Sequence, residues 1–217
     1  MVKLYVADIS SLPDPLSVPE ELKKLPVERQ QKIHKMKQEN SRKQSMGVGL
    51  LLQKVLALYH MQDSQVFVGE HGKPMVDGLE FSLSHSGNLV ICAVSDKPVG
   101  CDVEKIRKAP KGVAERYYSD TERAYLSRFL EDEYDREFFR LWTLKESYVK
   151  MTGEGLRVPF DAYEVVADQC ACDCHEGCIQ ILRDGKVQAC YLSSIVLQGH
   201  IISICAEESG HIDVMEF

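Results

Sequence analysis

Long apolar runs are missing from this chain. No stretch approaches the roughly 20 consecutive apolar residues that a membrane-spanning helix needs, and the opening MVKLYVADIS holds too short an apolar run for a secretory leader. The expected compartment is the cytoplasm, with no membrane partner. Positive charge is in deficit too: 26 Lys and Arg stand against 33 Asp and Glu, a net charge of −7. That argues against a nucleic-acid partner, because such proteins carry a strongly basic face. A local basic patch for a phosphorylated small molecule stays compatible with it. No serine sits in a nucleophile-elbow motif, so nothing marks an activated serine of the chain's own.

With 217 residues, 44% of them hydrophobic and 27% charged, the chain can bury a core without disulfide or metal staples. Eight cysteines in a reducing compartment read as thiols. Cys92, Cys101, Cys190 and Cys205 lie in or beside apolar runs and are expected as buried, inert thiols. The cluster Cys170, Cys172, Cys174, His175 and Cys178 is packed into one short stretch. It reads either as incidental exposed thiols or as a soft-metal site, although structural zinc sites usually pair two separated CxxC-type units.

Hydrophobic periodicity divides the chain into two similar halves. Residues 2–7 alternate as a first strand, three prolines make 10–19 a loop, and 19–38 is polar, basic and helical in character. A helix capped by Asn40 or Ser41 should run to about Tyr59, its core stripe made by Val48, Leu51, Leu52, Val55, Leu56 and Tyr59. Gly47 and Gly49 on it suggest close approach of a backbone or a ligand. Strands are expected at 81–84, 89–94 and 99–104, helix from about Ala114 and most strongly over 136–151, then a hairpin turning at Asp184-Gly185 and a final meander. Ile91-Cys92-Ala93 recurs as Ile204-Cys205-Ala206. These readings give an α+β fold, a pseudo-dimer of two similar lobes, each a small antiparallel sheet with a packed helix. The expected lobes are residues 1–105 and 106–217, with a cleft between them.

Three stretches carry chemistry: Gly72-Lys73-Pro74 with Phe81-Ser82-Leu83-Ser84-His85-Ser86-Gly87; Val99-Gly100-Cys101-Asp102-Val103-Glu104; and Trp142-Thr143-Leu144-Lys145-Glu146-Ser147-Tyr148-Val149-Lys150. Asp102 and Glu104, two apart on a strand, point the same way. Like charges side by side need a cation or an exposed position. Glu146 and Lys150, four apart on a helix, share a face. A third carboxylate from the helix would complete three oxygen donors of the kind a hard cation takes. Taken singly, the strand pair also fits a solvated face, the helix pair a surface ion pair, and His85 a turn residue.

Together, in this order and spacing, the motifs resemble the Sfp-type 4′-phosphopantetheinyl transferases, whose pattern V-G-x-D-x-E precedes W-[ST]-x-K-E-[SA]-x-x-K by some forty residues. The G-K-P, F-S-x-S-H-S and Gly153-Glu154-Gly155-Leu156 elements match as well. The resemblance implies an enzyme that moves the phosphopantetheine arm of coenzyme A onto a serine of an acyl, peptidyl or aryl carrier protein and releases 3′,5′-adenosine bisphosphate. It implies Mg2+ held by Asp102, Glu104 and Glu146, with Glu146 and Lys150 as the catalytic pair. Lys73, Ser84, His85 and Asp102 are implied at the coenzyme A, His85 toward its 3′-phosphate. Where the family carries lysines in the first helix, this chain has Glu28 and Gln31. Arg29, Lys32, Arg42 and Lys43 are nearby, and Arg42 and Lys43 are the expected replacements. The basic segment 106–118, with Arg107, Lys108 and Lys111, is expected to dock the carrier. Two lobes in one chain make a monomer the expected state. The rival reading is a binding module that holds coenzyme A or a carrier without catalysis.

Overall fold

A computed structural model of the chain describes residues 1–155, 159–167 and 179–217. The cysteine-rich stretch 170–178 and Leu156 lie outside the described residues. In chain order the elements are β1 (Val2–Asp8), α1 (Pro19–Leu22), α2 (Val27–Lys35), α3 (Glu39–Leu58), β2 (Phe67–Val68), β3 (Pro74–Met75), β4 (Glu80–Ser86), β5 (Leu89–Ser95) and β6 (Val99–Lys105). Then come α4 (Val113–Tyr117), α5 (Asp120–Leu126), α6 (Glu131–Thr152), β7 (Tyr163–Ala167), β8 (Ile179–Arg183), β9 (Lys186–Val187), β10 (Tyr191–Leu197), β11 (His200–Ala206) and β12 (Ile212–Glu216). No helix among the described residues is long and apolar enough to cross a membrane.

Two sheets form the centre, ordered β12-β1-β5-β4 and β10-β11-β6. Strand periodicity explains how they stack. Leu89, Ile91 and Ala93 of β5 meet Val99, Cys101 and Val103 of β6 and Ile202, Ile204 and Ala206 of β11 in one core between the sheets. The alternate residues face outward. Val90, Cys92 and Val94 pack under Val48, Leu51, Leu52, Val55 and Leu56 of α3, and Ile201 and Cys205 pack under Leu141, Leu144 and Tyr148 of α6. The result is a mixed α+β fold of two similar lobes back to back, each a small sheet under one long helix. The repeated Ile-Cys-Ala lies on the middle strand of each sheet, β5 and β11, both buried along their whole length.

Two strands reach across residue 105, the expected lobe boundary. β6 pairs antiparallel with β11, and β12 pairs parallel with β1, Val2 opposite Ile212. The parallel partner lies some two hundred residues from β1 along the chain, and local periodicity carries no sign of it.

Smaller differences have local causes. α3 starts at Glu39 with no side-chain cap, so Asn40 and Ser41 lie in its first turn rather than at its cap. Glu39 supplies the negative charge that a helix start favours and pairs with Lys43 at 2.9 Å. Side chains rather than a backbone crowd the two helix glycines: a Cβ at Gly47 would lie 2.5 Å from Ile9 Cγ2, and one at Gly49 2.7 Å from Arg29 Cδ. Cys92, Cys101 and Cys205 are buried thiols, while Cys190 is half-buried.

Candidate active site

β6 and α6 build the site between them. Gly100, Asp102 and Glu104 occupy the face of β6 turned away from the sheet–sheet core, and α6 lies directly on that face. Lys150 Nζ donates to Asp102 Oδ1 at 2.6 Å and to Ser84 Oγ at 3.1 Å. Ser84 Oγ in turn donates to the same Oδ1 at 2.7 Å. Asp102 Oδ2, fully buried, has no hydrogen-bond partner among the described residues. Glu104 is half-buried, and its Oε2 accepts from Ser86 Oγ at 2.7 Å and from Arg107 Nη1 at 2.9 Å.

The electrostatics are those of crowded carboxylates. Burial raises the Asp102 pKa, with Lys150 opposing and Glu104 adding to the rise. Glu146 is pushed up to about 7, first by burial, then by the Asp102 charge, against the pull of Lys150. Burial opposes the charged form of Lys150, but Asp102, Cys101 and Glu146 together outweigh it and the net shift is upward. Glu146 and Lys150 line a cavity of about 250 Å3 together with Lys73, Pro74, Phe81 and Gly153. Burial also lowers the Lys73 pKa, and its Nζ reaches Val99 O at 3.3 Å.

His85 is the penultimate residue of β4, beside this group. Its imidazole reaches solvent yet sits in a crowded recess. That desolvation, with Lys150 and Lys32 close by, holds its pKa below the ordinary value. A second, wider hollow of about 940 Å3 is lined by Arg29, Lys32, Lys24 and Phe67 and shares Gly72 and Pro74 with the first. The hollow lined by the α2 cations Arg29 and Lys32, with Glu28 among them, therefore adjoins the cavity that holds Glu146 and Lys150.

Arg42 and Lys43 are committed elsewhere. Arg42 Nε donates to Asp14 Oδ1 at 2.9 Å, its Nη2 pairs with Asp14 Oδ2, and its Nη1 donates to the carbonyls of Met36 and Lys37. Lys43 is held by Glu39. Arg42 and Lys43 thus have partners on the loop and on their own helix; Arg29, whose Nη1 donates to Ser45 O at 3.1 Å, and Lys32 line the hollow. The Arg42 hydrogen bond pulls the Asp14 carboxyl down to about 2, against a smaller effect of burial. A depressed folded-state pKa means the pair stabilises fully above the unfolded value and is lost as pH falls through the folded one. Urea midpoints of the parent should therefore fall more steeply than those of Asp14→Asn between pH values of about 4 and 2. Equal slopes would show that the pair contributes nothing.

Four features escaped the motif reading. Ser82 and Ser86 join Ser84 in contacting β6; the alternation of serines on one strand face was their signal. Arg107 reaches back to Glu104 and lies over the Phe139 ring at 4.6 Å. Trp142, half-buried, stacks on Phe160 with ring centroids 4.9 Å apart. Lys145 is wholly buried against Glu122; a Lys-Glu dipeptide in a helix gives no sign that its lysine points inward.

Among the described residues no group of three His, Cys, Asp or Glu side chains is gathered closely enough to hold a metal ion as it stands. The donors nevertheless fit a hard cation. All are carboxylate oxygens, Glu104 raises the Asp102 pKa and both raise that of Glu146, and one buried oxygen of Asp102 lacks a partner among the described residues. Two cations of the chain, Lys150 and Arg107, meanwhile neutralise Asp102 and Glu104.

Residues 98–205 match a family described as the 4′-phosphopantetheinyl transferase superfamily. Similar curated proteins include the 4′-phosphopantetheinyl transferase Sfp of Bacillus subtilis (strain 168), 34% identical over 141 residues, which are 63% of this chain and 60% of that protein. The 4′-phosphopantetheinyl transferase gsp of Aneurinibacillus migulanus is 38% identical over 101 residues, 46% of this chain and 43% of that protein. The matches thus span 43% to 60% of these two relatives' lengths. Among solved structures, a holo-(acyl-carrier-protein) synthase from Bacillus anthracis in complex with CoA (3′,5′-ADP) aligns with a TM-score of 0.43 and 20% identity, over 52% of this chain and 96% of that one.

Proposed function

The chain belongs to the 4′-phosphopantetheinyl transferase superfamily, and we propose that it is an Sfp-type, Mg2+-dependent enzyme that transfers the 4′-phosphopantetheine of coenzyme A to a serine of an apo carrier protein. The observation that carries this reading is that Glu146 and Lys150 line one cavity while Lys150 bonds to Asp102, whose buried Oδ2 has no partner among the described residues. Asp102, Glu104 and Glu146 would hold the cation. When bound, it supplies positive charge to the pyrophosphate of coenzyme A and to the oxygens where charge builds in the transition state.

The chain's own groups divide the remaining work. The carrier's serine Oγ bonds to the β-phosphorus as the bond from that phosphorus to the bridging oxygen breaks, and 3′,5′-adenosine bisphosphate leaves with the electron pair. The serine proton passes to the Glu146 carboxylate, directly or through a water, with Glu146 acting as a general base held at the reacting centre. The Lys150 ammonium stabilises the phosphoryl oxygens and is already in position, so no reorganisation accompanies the reaction. Lys73, Ser84 and His85 serve the nucleotide end, with Arg29 and Lys32, in place of Arg42 and Lys43, for its 3′-phosphate. The two lobes, 1–105 and 106–217 apart from the strands β6 and β12 that cross between them, wall the cleft within one chain, which works as a cytoplasmic monomer. Segment 106–118, with Lys108 and Lys111 exposed, receives the carrier.

The test is a panel of apo carrier proteins incubated with coenzyme A and Mg2+ and read by intact mass. The expected result is addition of one phosphopantetheine to a single serine, abolished by a chelator. Asp102→Ala and Glu104→Ala should each slow transfer at least about a hundredfold, on the order of 3 kcal/mol in the barrier. Coenzyme A binding without transfer to any carrier would favour the binding-module reading instead. Full activity of either variant without metal would overturn the cation site.

A further inference from the structure

β4 and β6 run side by side at the seam between the two sheets, yet they belong to different hydrogen-bonded sheets. Serine hydroxyls do the work of the missing ladder. Ser82, Ser84 and Ser86 alternate along β4 and so share one face. Their Oγ atoms accept the N–H groups of Cys101 at 3.0 Å, Val103 at 3.4 Å and Lys105 at 3.1 Å. A hydroxyl has one proton and two lone pairs. With its oxygen accepting from the backbone, each serine has its proton left for a side chain of β6. Ser84 gives it to Asp102 Oδ1 and Ser86 gives it to Glu104 Oε2, both at 2.7 Å. Ser82, opposite Cys101, has no carboxylate to serve. Each carboxylate is therefore held by one oxygen. Among the described residues Asp102 keeps Oδ2 unpartnered, and both Glu104 partners, Ser86 and Arg107, fall on Oε2.

We propose that Ser86 is a positioning residue for a divalent cation: it fixes Glu104 through Oε2, so that Oε1 is the oxygen offered to the metal beside Oδ2 of Asp102. The inference rests on the reading that Asp102 and Glu104 hold that cation. Ser86 differs from Arg107 in what it can do there. Arg107 is exposed and brings a charge that competes with a cation, whereas the Ser86 hydroxyl is anchored by the backbone and orients the carboxylate without neutralising it. Ser82 supplies a control within the fold, since it joins the strands and orients nothing.

The experiment titrates the full chain with Mn2+ alone and reads the free aqua ion by electron paramagnetic resonance. Ser86→Thr keeps the hydroxyl, and Ser86→Val has the same shape without it, so the pair separates the hydrogen bond from folding. Removing an outer partner of a metal-binding carboxylate typically weakens the metal about ten- to a hundredfold. Ser86→Val should weaken Mn2+ by at least about tenfold, and Ser86→Thr should stay within about threefold of the parent. Ser82→Ala should lower the unfolding midpoint and leave Mn2+ affinity within about twofold. If Ser86→Val binds Mn2+ like the parent while Glu104→Gln loses it, Ser86 only stitches the strands, the proposal is wrong and the cation reading stands. If Glu104→Gln itself binds Mn2+ normally, the cation reading falls and the proposal with it.

Discussion

Gly100→Ala is expected to damage both the fold and the transfer reaction. A Cβ at this position would lie 1.9 Å from Ser147 O, 2.4 Å from Met151 N and 3.0 Å from the Lys150 carbonyl carbon. All three are backbone atoms of α6 and cannot rotate away. The helix therefore rests on β6 with no room for even one methyl group. To admit it, α6 must lift or slide, and α6 carries Glu146 and Lys150 while β6 carries Asp102 and Glu104. Overpacking a tight core costs up to about 3 kcal/mol and occasionally more; against a backbone obstacle the upper end is expected. For a chain of this size that lowers the unfolding midpoint by roughly 6–12 °C. Transfer activity per folded molecule should fall at least about a hundredfold, because a shift near 1 Å at a reacting centre carries a cost of that order. Differential scanning calorimetry and the carrier-loading assay read the two effects separately. A midpoint unchanged within about 1 °C would mean that α6 gives way more easily than its contacts imply.

Breaking the Lys145–Glu122 pair should cost about 3–5 kcal/mol of stability, as removal of one partner of a buried ion pair does. Both side chains are 0% exposed. Lys145 Nζ donates to the two Glu122 oxygens at 2.8 and 2.7 Å and to Tyr163 O at 2.9 Å, and it stands 5.0 Å from the centre of the Tyr163 ring. Burial pulls the lysine pKa down and Glu122 opposes it. The carboxylate also accepts the N–H groups of Ser119 and Val165, so one ion pair ties α5, α6 and β7 together. In Lys145→Met the methionine fills the volume and leaves Glu122 charged, buried and without a cation. The double variant Lys145→Met with Glu122→Gln removes that charge and keeps an acceptor oxygen for the backbone, so it should recover a substantial part of the loss. Urea unfolding of the parent, the single and the double variants measures this. A single-variant loss below about 1 kcal/mol would show that water reaches the site and compensates.

Both results turn on residues that sit inside the recognised motifs yet act by packing rather than by chemistry. In the segment from Val99 to Glu104, Asp102 and Glu104 were legible as a carboxylate pair because strand alternation alone puts them on one face. Gly100, on the same face, was legible only as part of a pattern. Its requirement comes from a helix some forty residues later in the chain. Likewise, Glu146 and Lys150 could be placed on one helix face from their spacing. Lys145, immediately before Glu146, turns the other way into a wholly buried pocket whose second wall is β7.

The cation-rich first helices show the limit most clearly. Arg29, Lys32, Arg42 and Lys43 are equivalent as letters. Their surroundings separate them: Asp14 from the loop takes Arg42, Glu39 takes Lys43, and Arg29, which donates to Ser45 O, and Lys32 line the hollow.

Local periodicity by itself determined the two long helices and the central strands, the doubling of a helix-on-sheet unit and the common face of each pair of charged residues. All of these follow from repeat lengths of two and 3.6 residues along a single segment. Tertiary structure alone decided that β12 returns to β1, that β6 crosses to β11, that three serines of β4 take the place of a ladder to β6, and which cations stay available at the cavity. Those outcomes depend on which distant segments meet, and such contacts are set by burial of shared faces and by satisfaction of each polar group, neither of which a single stretch of chain encodes.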